Sequence, residues 1–487
     1  MDDIPNEIIL KVLNGLERND LITSLNVCKK FRELIISSSK LMRKLPLTLK
    51  KNWFDKIEFA GDFGGFLKEL HMNYCAFDSF EEFKSIINLF PKIEILKINY
   101  ISIKQPSFEL TQRTSQQTQE DIEEDENISF NNLRCVDISS KFWGYITQID
   151  GKILKHLSSD KIEHLKIHLP MQKISTDFID FLCKQNNLKS LEVYDDFIDS
   201  FVFDDFIESF TYNDIISSLF EIDLSTRVSF QLKKLAIHYR GDHRENFQKF
   251  LNSQLDLDEL EIRKYDDNFI KFKLTFELIR SFRVRKLSLP LDLIPSNILT
   301  DVERFVNTNV EELTLKGINN DPVLFHLLLK LFPNLKLLRL EYLLEFPGVS
   351  LVDLPFLDSL IVDHFKIESL MNIKIKKLKY LEIGCLYPFI YTDWEFITTS
   401  NPTIEHLLIN KISHFNTMTA IKNACNLLVK DLKKLKYLKI VQNDSSDCIK
   451  IFADIDRQSL QLSTYAQKMC MESLLSYHTF NVICLLY

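Results

Sequence analysis

His164 and His168 stand four residues apart, a spacing at which two imidazoles converge on one face of a helix and can hold a metal ion. Both lie in KIEHLKIHL, an alternating stretch that reads as a strand, where the same spacing sets them about 13 Å apart. They are therefore no metal pair, and no metal site is expected. Gly61, Gly64 and Gly65 cluster as a phosphate-cradling loop would, but no Lys-Ser/Thr follows them. The chain has neither G-x-G-x-x-G nor G-x-x-x-x-G-K-[ST], and only 10 glycines in 487 residues. Nucleotide enzymes of the familiar kinds are excluded on that ground. Nine cysteines, scattered from Cys28 to Cys484 without a C-x-x-C pair, fit neither a disulfide framework nor zinc. Buried free thiols are expected instead. Cys484-Leu-Leu-Tyr has the outline of a prenylation box, yet Tyr is not a usual last residue and no basic run precedes it. No Ser/His/Asp or Cys/His arrangement is recognisable, and carboxylates are scattered rather than paired. These residues suit binding rather than catalysis, so neither enzyme activity nor a cofactor is expected.

The bulk properties agree with a binding role. An apolar fraction of 45% can build a large core, and a net charge of -8 gives no reason to expect nucleic acid or an anionic membrane. The acidic start MDDIPNE lacks an apolar signal region, and no run of about 18 apolar residues offers a membrane span. A cytoplasmic or nuclear protein is expected.

The first elements to consider are N-terminal helices. Ile9, Val12, Leu13 and Leu16 fall at i, i+3, i+4 and i+7, one face of a helix, with Pro5 at its start. Gly15 and the ERND stretch end it. Asp20 is placed to cap a second helix carrying Leu21, Leu25 and Cys28, and Val27, Phe31 and Leu34 lead into a third. About 40 residues cannot bury all of this surface alone. A generic cap on the following domain is one use for the remaining face. A helix-turn-helix DNA binder is disfavoured, because Val27, Phe31 and Leu34 are apolar where base-reading groups belong.

Ile4-Pro5, Glu7-Ile8-Ile9, Asp20-Leu21, Val27-Cys28-Lys29 and Phe31, with Leu34 and Leu41 in phase, resemble an F-box. Ile4 stands where Leu is usual and Phe31 where Trp is usual; both remain apolar. The resemblance implies docking on a Skp-type adaptor, and through it on a cullin-RING ubiquitin ligase. The implied adaptor contacts are Ile4, Pro5, Ile8, Ile9, Leu13, Leu16, Leu21, Val27, Cys28, Phe31 and Leu34.

Beyond the helices one frame, apolar-x-x-Leu-x-apolar, recurs through residues 66–440, from FLKELHM (66–72) to KLKYLKI (434–440), in about 14 units. Leu235, Leu260, Leu287, Leu313 and Leu338 are 25, 27, 26 and 25 residues apart, within the range of leucine-rich repeats. Each frame reads as a short strand with one buried face, and stretches such as Asp321-Pro322 onward read as helix starts between strands. Stacking closes the open faces into a curved solenoid. These repeats are similar to those that follow an F-box in the F-box/leucine-rich class, though divergent. Only Leu70 with Cys75 shows that class's cysteine five residues on; elsewhere Ile318, Leu343, Phe365, Leu386 or Ile412 takes the slot.

The expected fold is α/β: a three-helix F-box over 1–48, a leucine-rich repeat solenoid over 49–440 with parallel sheet inside and helices outside, and a capping tail over 441–487. Two gaps break the rhythm. The acidic run near 110–128 reads as a solvated, disordered insertion that could also bind a partner or be phosphorylated. SLFEIDL (218–224) matches the frame only 13 residues before the next strand frame, which leaves a full repeat there undecided. Strand residues beside the buried leucines face the concave side of such an arc, and mixed signs there suit a protein partner. The substrate-binding candidates are Lys166, Glu192, Tyr194, Glu261, Arg339, Tyr380, Glu382 and Tyr437. The function expected is substrate recognition within an SCF (Skp–cullin–F-box) ligase, and the alternative is a non-degradative interaction scaffold.

Overall fold

The computed structural model describes residues 4–49, 64–99, 101–103, 132–139, 154, 157, 160–168, 176–194, 219–220, 222–238, 243–263, 274–294, 305–317, 328–341, 354–366, 375, 377–387, 397–399, 401–412, 428, 430–443 and 448–454. The acidic run near 110–128, the Asp321-Pro322 helix start and the chain beyond 454 lie outside them. The chain forms two compact units, residues 1–257 with 265–270, and residues 258–264 with 271–487.

The first unit opens with α1 (Asn6–Gly15), α2 (Arg18–Ser24), α3 (Lys29–Ser37) and a single turn α4 (Ser39–Met42). Ile9, Leu13, Leu21, Ile35, Leu41 and Met42 are their buried apolar side chains. Two local expectations shift. Pro5 is the residue before α1, and Asp20 lies in the first turn of α2 rather than capping it, since the chain turns helical already at Arg18. Cys28 caps α3, its Sγ accepting the Phe31 N–H at 3.4 Å.

The strands follow without a linker. In this unit β1 (Pro46–Leu49), β2 (Glu69–Asn73), β4 (Ile95–Asn99), β6 (Cys135–Ser139), β7 (His164–His168), β8 (Ser190–Tyr194) and β9 (Lys234–His238) lie side by side, all parallel. A small second pairing joins β3 (Ala76–Phe77) to β5 (Ser102–Ile103). Leu70, Leu96, Val136, Leu165, Leu191 and Leu235 each pair with the next, so the frame positions read in the sequence form one buried column, and the half-buried Leu47 pairs with Leu70 at its start. The strand at Pro46–Leu49 was not anticipated. The second gap also resolves: β8 pairs directly with β9, so SLFEIDL adds no strand. Leu219 and Phe220 are helical, and Phe220 stacks edge-on against Phe247 of the helix Arg244–Ser253 at 4.9 Å.

The second unit repeats the plan with β10 (Glu259–Arg263), β11 (Lys286–Pro290), β12 (Glu312–Lys316), β13 (Leu337–Glu341), β14 (Ser359–Lys366), β15 (Tyr380–Tyr387), β16 (His406–Ile412) and β17 (Tyr437–Asn443), parallel in chain order. Leu260, Leu287, Leu313, Leu338, Leu360, Leu381, Leu407 and Leu438 form its column, each 1% exposed or less. A fully buried leucine contributes about 1.5–3 kcal/mol, which makes this column the backbone of the unit's stability. An antiparallel strand, β18 (Cys448–Asp454), pairs with β17 and ends the row.

Three buried amides bond from one repeat to the repeat before it. Buried Asn307 donates to the carbonyls of Ile279 and Phe282 at 3.0 and 2.8 Å, and buried Asn401 accepts the Ile375 N–H at 3.2 Å. In the first unit buried Gln254 accepts the Leu232 N–H at 2.8 Å. Each amide stands six residues before a central leucine and reaches the preceding repeat.

A second column, two residues before each central leucine of the second unit, alternates in charge. In the second unit it runs Asp258, Arg285, Glu311, Lys336, Asp358, Lys379, Glu405, Lys436, and each carbonyl accepts the N–H of the next member. Side chains join where they can: Arg285–Asp258 at 2.9 Å, Lys336–Glu311 at 2.8 Å and Lys436–Glu405 at 2.5 Å. Neighbouring strands are about 4.8 Å apart, so a reversal places like charges in contact. Lys336→Glu sets three acids in succession and is expected to cost about 1 kcal/mol, the modest scale of exposed pairs. Urea unfolding at low salt shows the loss and high salt shrinks it; a cost unchanged by salt means the column is not electrostatic.

Candidate partner-binding surfaces

Two surfaces are built from these elements. The first is on the helices. Of nine exposed large apolar side chains among the described residues, five lie here: Ile4, Ile8, Val12, Ile22 and Val27. Ile4, Ile8 and Val12 recur every four residues, and Ile8 and Val12 are 54% and 60% exposed. The Lys30 ammonium donates to the Ile4 carbonyl at 3.1 Å, tying α3 to the start of this stripe. Lys44 closes the end of α1 on the Asn14 and Leu16 carbonyls at 2.8 and 3.1 Å.

The adaptor-contact candidates divide on this geometry. Ile4, Pro5, Ile8 and Val27 are exposed, while Leu16, Cys28, Phe31 and Leu34 are half-buried. Ile9, Leu13 and Leu21 are 5%, 1% and 0% exposed and belong to the interior of the helical unit. Val12 carries the largest exposure of these helices' apolar side chains, although its spacing groups it with the buried Ile9 and Leu13 on one face. The signal that could have placed it was the i, i+4, i+8 run with Ile4 and Ile8.

The helices are pinned to the first strands by Glu69, which is 6% exposed. Arg18 of α2 meets it at 2.5 Å, His71 Nε2 at 2.6 Å and Lys97 at 3.3 Å. Burial alone raises a carboxyl's pKa, but hydrogen bonds and charge from Arg18 and His71 outweigh it and hold Glu69 at about 2. A carboxylate depressed when folded stabilises the fold above its unfolded value of 4.5 and loses that contribution as pH falls toward 2. Wild-type stability is therefore expected to drop between those values by about 2 kcal/mol, a figure reduced for the partly exposed Arg18. Glu69→Gln removes that part of the pH slope; an unaltered acid-unfolding curve contradicts the assignment.

The second surface is the strand face opposite the leucine columns. In the first unit its charges pair internally. Lys166 reaches Asp137 at 3.9 Å and lies over the Tyr194 ring at 5.8 Å, and Lys234 meets Glu192 at 2.7 Å. Tyr194, 2% exposed, donates its hydroxyl to Glu192 at 2.8 Å. Burial raises the Glu192 pKa, and the Lys234 and Tyr194 hydrogen bonds bring it below the usual carboxylate range. In the second unit Glu261 is held by Arg263 and Lys316 at 2.8 and 2.7 Å, and it too lies low against the opposing push of burial. Tyr380, His406 and Tyr437 run across three strands with successive ring centroids 6.3 Å apart. Tyr380 donates to Glu382 at 2.6 Å; burial first, then that carboxylate, pushes the phenol above its ordinary value. The eight substrate candidates thus fall into two groups, Lys166, Glu192 and Tyr194 in the first unit, and Glu261, Arg339, Tyr380, Glu382 and Tyr437 in the second.

No group of three or more His, Cys, Asp or Glu among the described residues is placed to hold a metal. Burial pushes the Cys75 thiol up to about 11 and raises Cys135 and Cys183 as well, away from the nucleophilic thiolate. No described helix is long and apolar enough to cross a membrane.

With this geometry in hand, comparison with known proteins adds one firm result. Residues 1–47 match the F-box-like family, so the chain carries an F-box-like domain at its N-terminus. No curated protein matches the chain significantly. Among solved structures it is similar to one described as the crystal structure of the Rad7 and Elc1 complex in yeast. The identity is 14%, over 85% of this chain and 89% of that one, with a TM-score of 0.32, too low to establish a shared fold.

Proposed function

We propose that this protein is the substrate-receptor subunit of an SCF-type ubiquitin ligase. Its helical domain binds a Skp-type adaptor, and its leucine-rich repeats offer their strand face to a protein substrate. The observation that carries this reading is an F-box-like domain whose folded helices leave Ile4, Ile8 and Val12 in water. Such a stripe is a surface awaiting an apolar partner. The chain itself is non-catalytic: it holds the substrate near the charged conjugating enzyme and so raises effective concentration. The Arg18–Glu69 contact serves this role by fixing the adaptor-binding helices to the first strands. Affinity purification of the full chain from cells is expected to recover a Skp-type adaptor with a cullin, and depletion of the chain to raise the level of a bound protein. Recovery of partners without an adaptor, at levels indifferent to depletion, replaces the receptor with a non-degradative scaffold.

A further inference from the structure

We propose that strands β13–β17 of the second unit dock an extended protein segment that sets an Asp or Glu side chain on Arg339 and an apolar side chain on the Tyr380–His406–Tyr437 row. This rests on the receptor reading and names the chemistry of its substrate.

The argument begins with charge. Face cations elsewhere are neutralised by carboxylates of the chain: Lys97 by Glu69 at 3.3 Å, Lys234 by Glu192 at 2.7 Å, Arg263 and Lys316 by Glu261 at 2.8 and 2.7 Å, and Lys286 by Glu312 at 3.0 Å. Arg339 has no ion pair among the described residues. It is half-buried, and its register partner on β14 is Ile361, only 6% exposed. The nearby acids do not compensate it. Glu341 turns to Lys316 at 3.5 Å, and Glu382 is held by the Tyr380 hydroxyl and the Asn410 amide at 2.6 and 2.7 Å. A partly desolvated guanidinium with no carboxylate paired to it among the described residues is a favoured anchor for one from a second chain.

Beside it the Tyr380, His406 and Tyr437 rings and Leu408 give a half-buried apolar row. Aromatic and arginine side chains set together are the composition of interface centres. The planar fork of one arginine matches one carboxylate, whereas phosphate-reading sites gather several cations. Lys439, the next cation on this face, donates to Asn410 at 2.8 Å. An unmodified acidic residue therefore fits better than a phosphorylated one.

The test uses the full chain bound to its Skp-type adaptor and a random-peptide display library as probe. Selected peptides, resynthesised with a fluorophore, are expected to share an Asp or Glu near a Leu, Ile, Val or Phe. Their binding, read by anisotropy, is expected to weaken at least about tenfold with Arg339→Gln and with Tyr437→Ala, and less with Arg339→Lys. Thermal melts of the variants keep misfolding from counting as support. Peptides without an acid, peptides that need a phosphate, affinity indifferent to Arg339→Gln, or no selection at all overturns the proposal. Adaptor retention is measured in the same preparations. Its loss with peptide binding intact sinks the receptor reading, and its persistence without peptide binding sinks this surface.

Discussion

Ile8→Asp combined with Val12→Asp is expected to abolish capture of a Skp-type adaptor while leaving the fold unchanged. Both side chains stand in water, at 54% and 60% exposure, so two carboxylates there displace no packing. Surface substitutions of this kind usually alter stability by no more than about 0.5 kcal/mol. Under a docked adaptor the same carboxylates lose their water without a counter-charge, at a cost of several kcal/mol together. Because 1.4 kcal/mol is about tenfold in affinity, the expected loss is 100-fold or more. Ile9→Asp and Leu13→Asp are the contrasting pair: these sites are 5% and 1% exposed, and a charge there is expected to unfold the helices. Adaptor binding measured by calorimetry beside a thermal melt separates the two outcomes. A double variant that melts and binds like the wild type removes the stripe from the adaptor interface.

The leucine columns were legible because one residue type recurred at one position of one frame. In parallel pairing that position aligns with itself strand after strand, from Leu70 to Leu235 in the first unit and from Leu260 to Leu438 in the second. Where the frame left a stretch undecided or passed over it, local pattern lacked the deciding information. SLFEIDL alternates as a strand would, yet Phe220 packs on Phe247 and Phe250 of a following helix, and periodicity over a few residues cannot separate the two. Pro46–Leu49 escaped notice because four residues carry too little pattern; pairing with β2 makes it a strand. Val12 fits two different faces by its spacing from Ile9 and its spacing from Ile8, and only packing chooses between them. The alternating charges two positions before each central leucine of the second unit were present in the sequence but become meaningful only once register sets them side by side. Arg339 shows the limit most clearly, since a cation with no ion pair among the described residues is distinguished from a paired one by where its neighbours' carboxylates turn.

Gly384→Ala is expected to destabilise the second unit by about 2–4 kcal/mol, and Gly384→Val by more. The reason is space rather than backbone conformation. A Cβ built at Gly384 meets the Asp363 carbonyl oxygen at 2.4 Å and the Asp363 Cα at 2.8 Å. Those atoms belong to the neighbouring strand, which cannot rotate away as a side chain tip could. Relief requires β14 and β15 to separate where they are paired on both sides, Val362 with Ile383 and His364 with Cys385. Gly15 and Gly65, by contrast, have open space at the same test. For a unit of this size each kcal/mol lowers the melting temperature by roughly 2–4 °C, so a drop of roughly 5–15 °C is expected in a thermal scan. The displaced strands carry Ile361, Tyr380 and Glu382, beside Arg339. A peptide held by that surface is therefore expected to be lost in Gly384→Ala even at temperatures where the variant remains folded. Adaptor capture depends on helices in the other unit and is expected to persist. A variant with wild-type melting shows that β14 and β15 can part without cost, and one that loses both activities together shows that the two units do not fold independently.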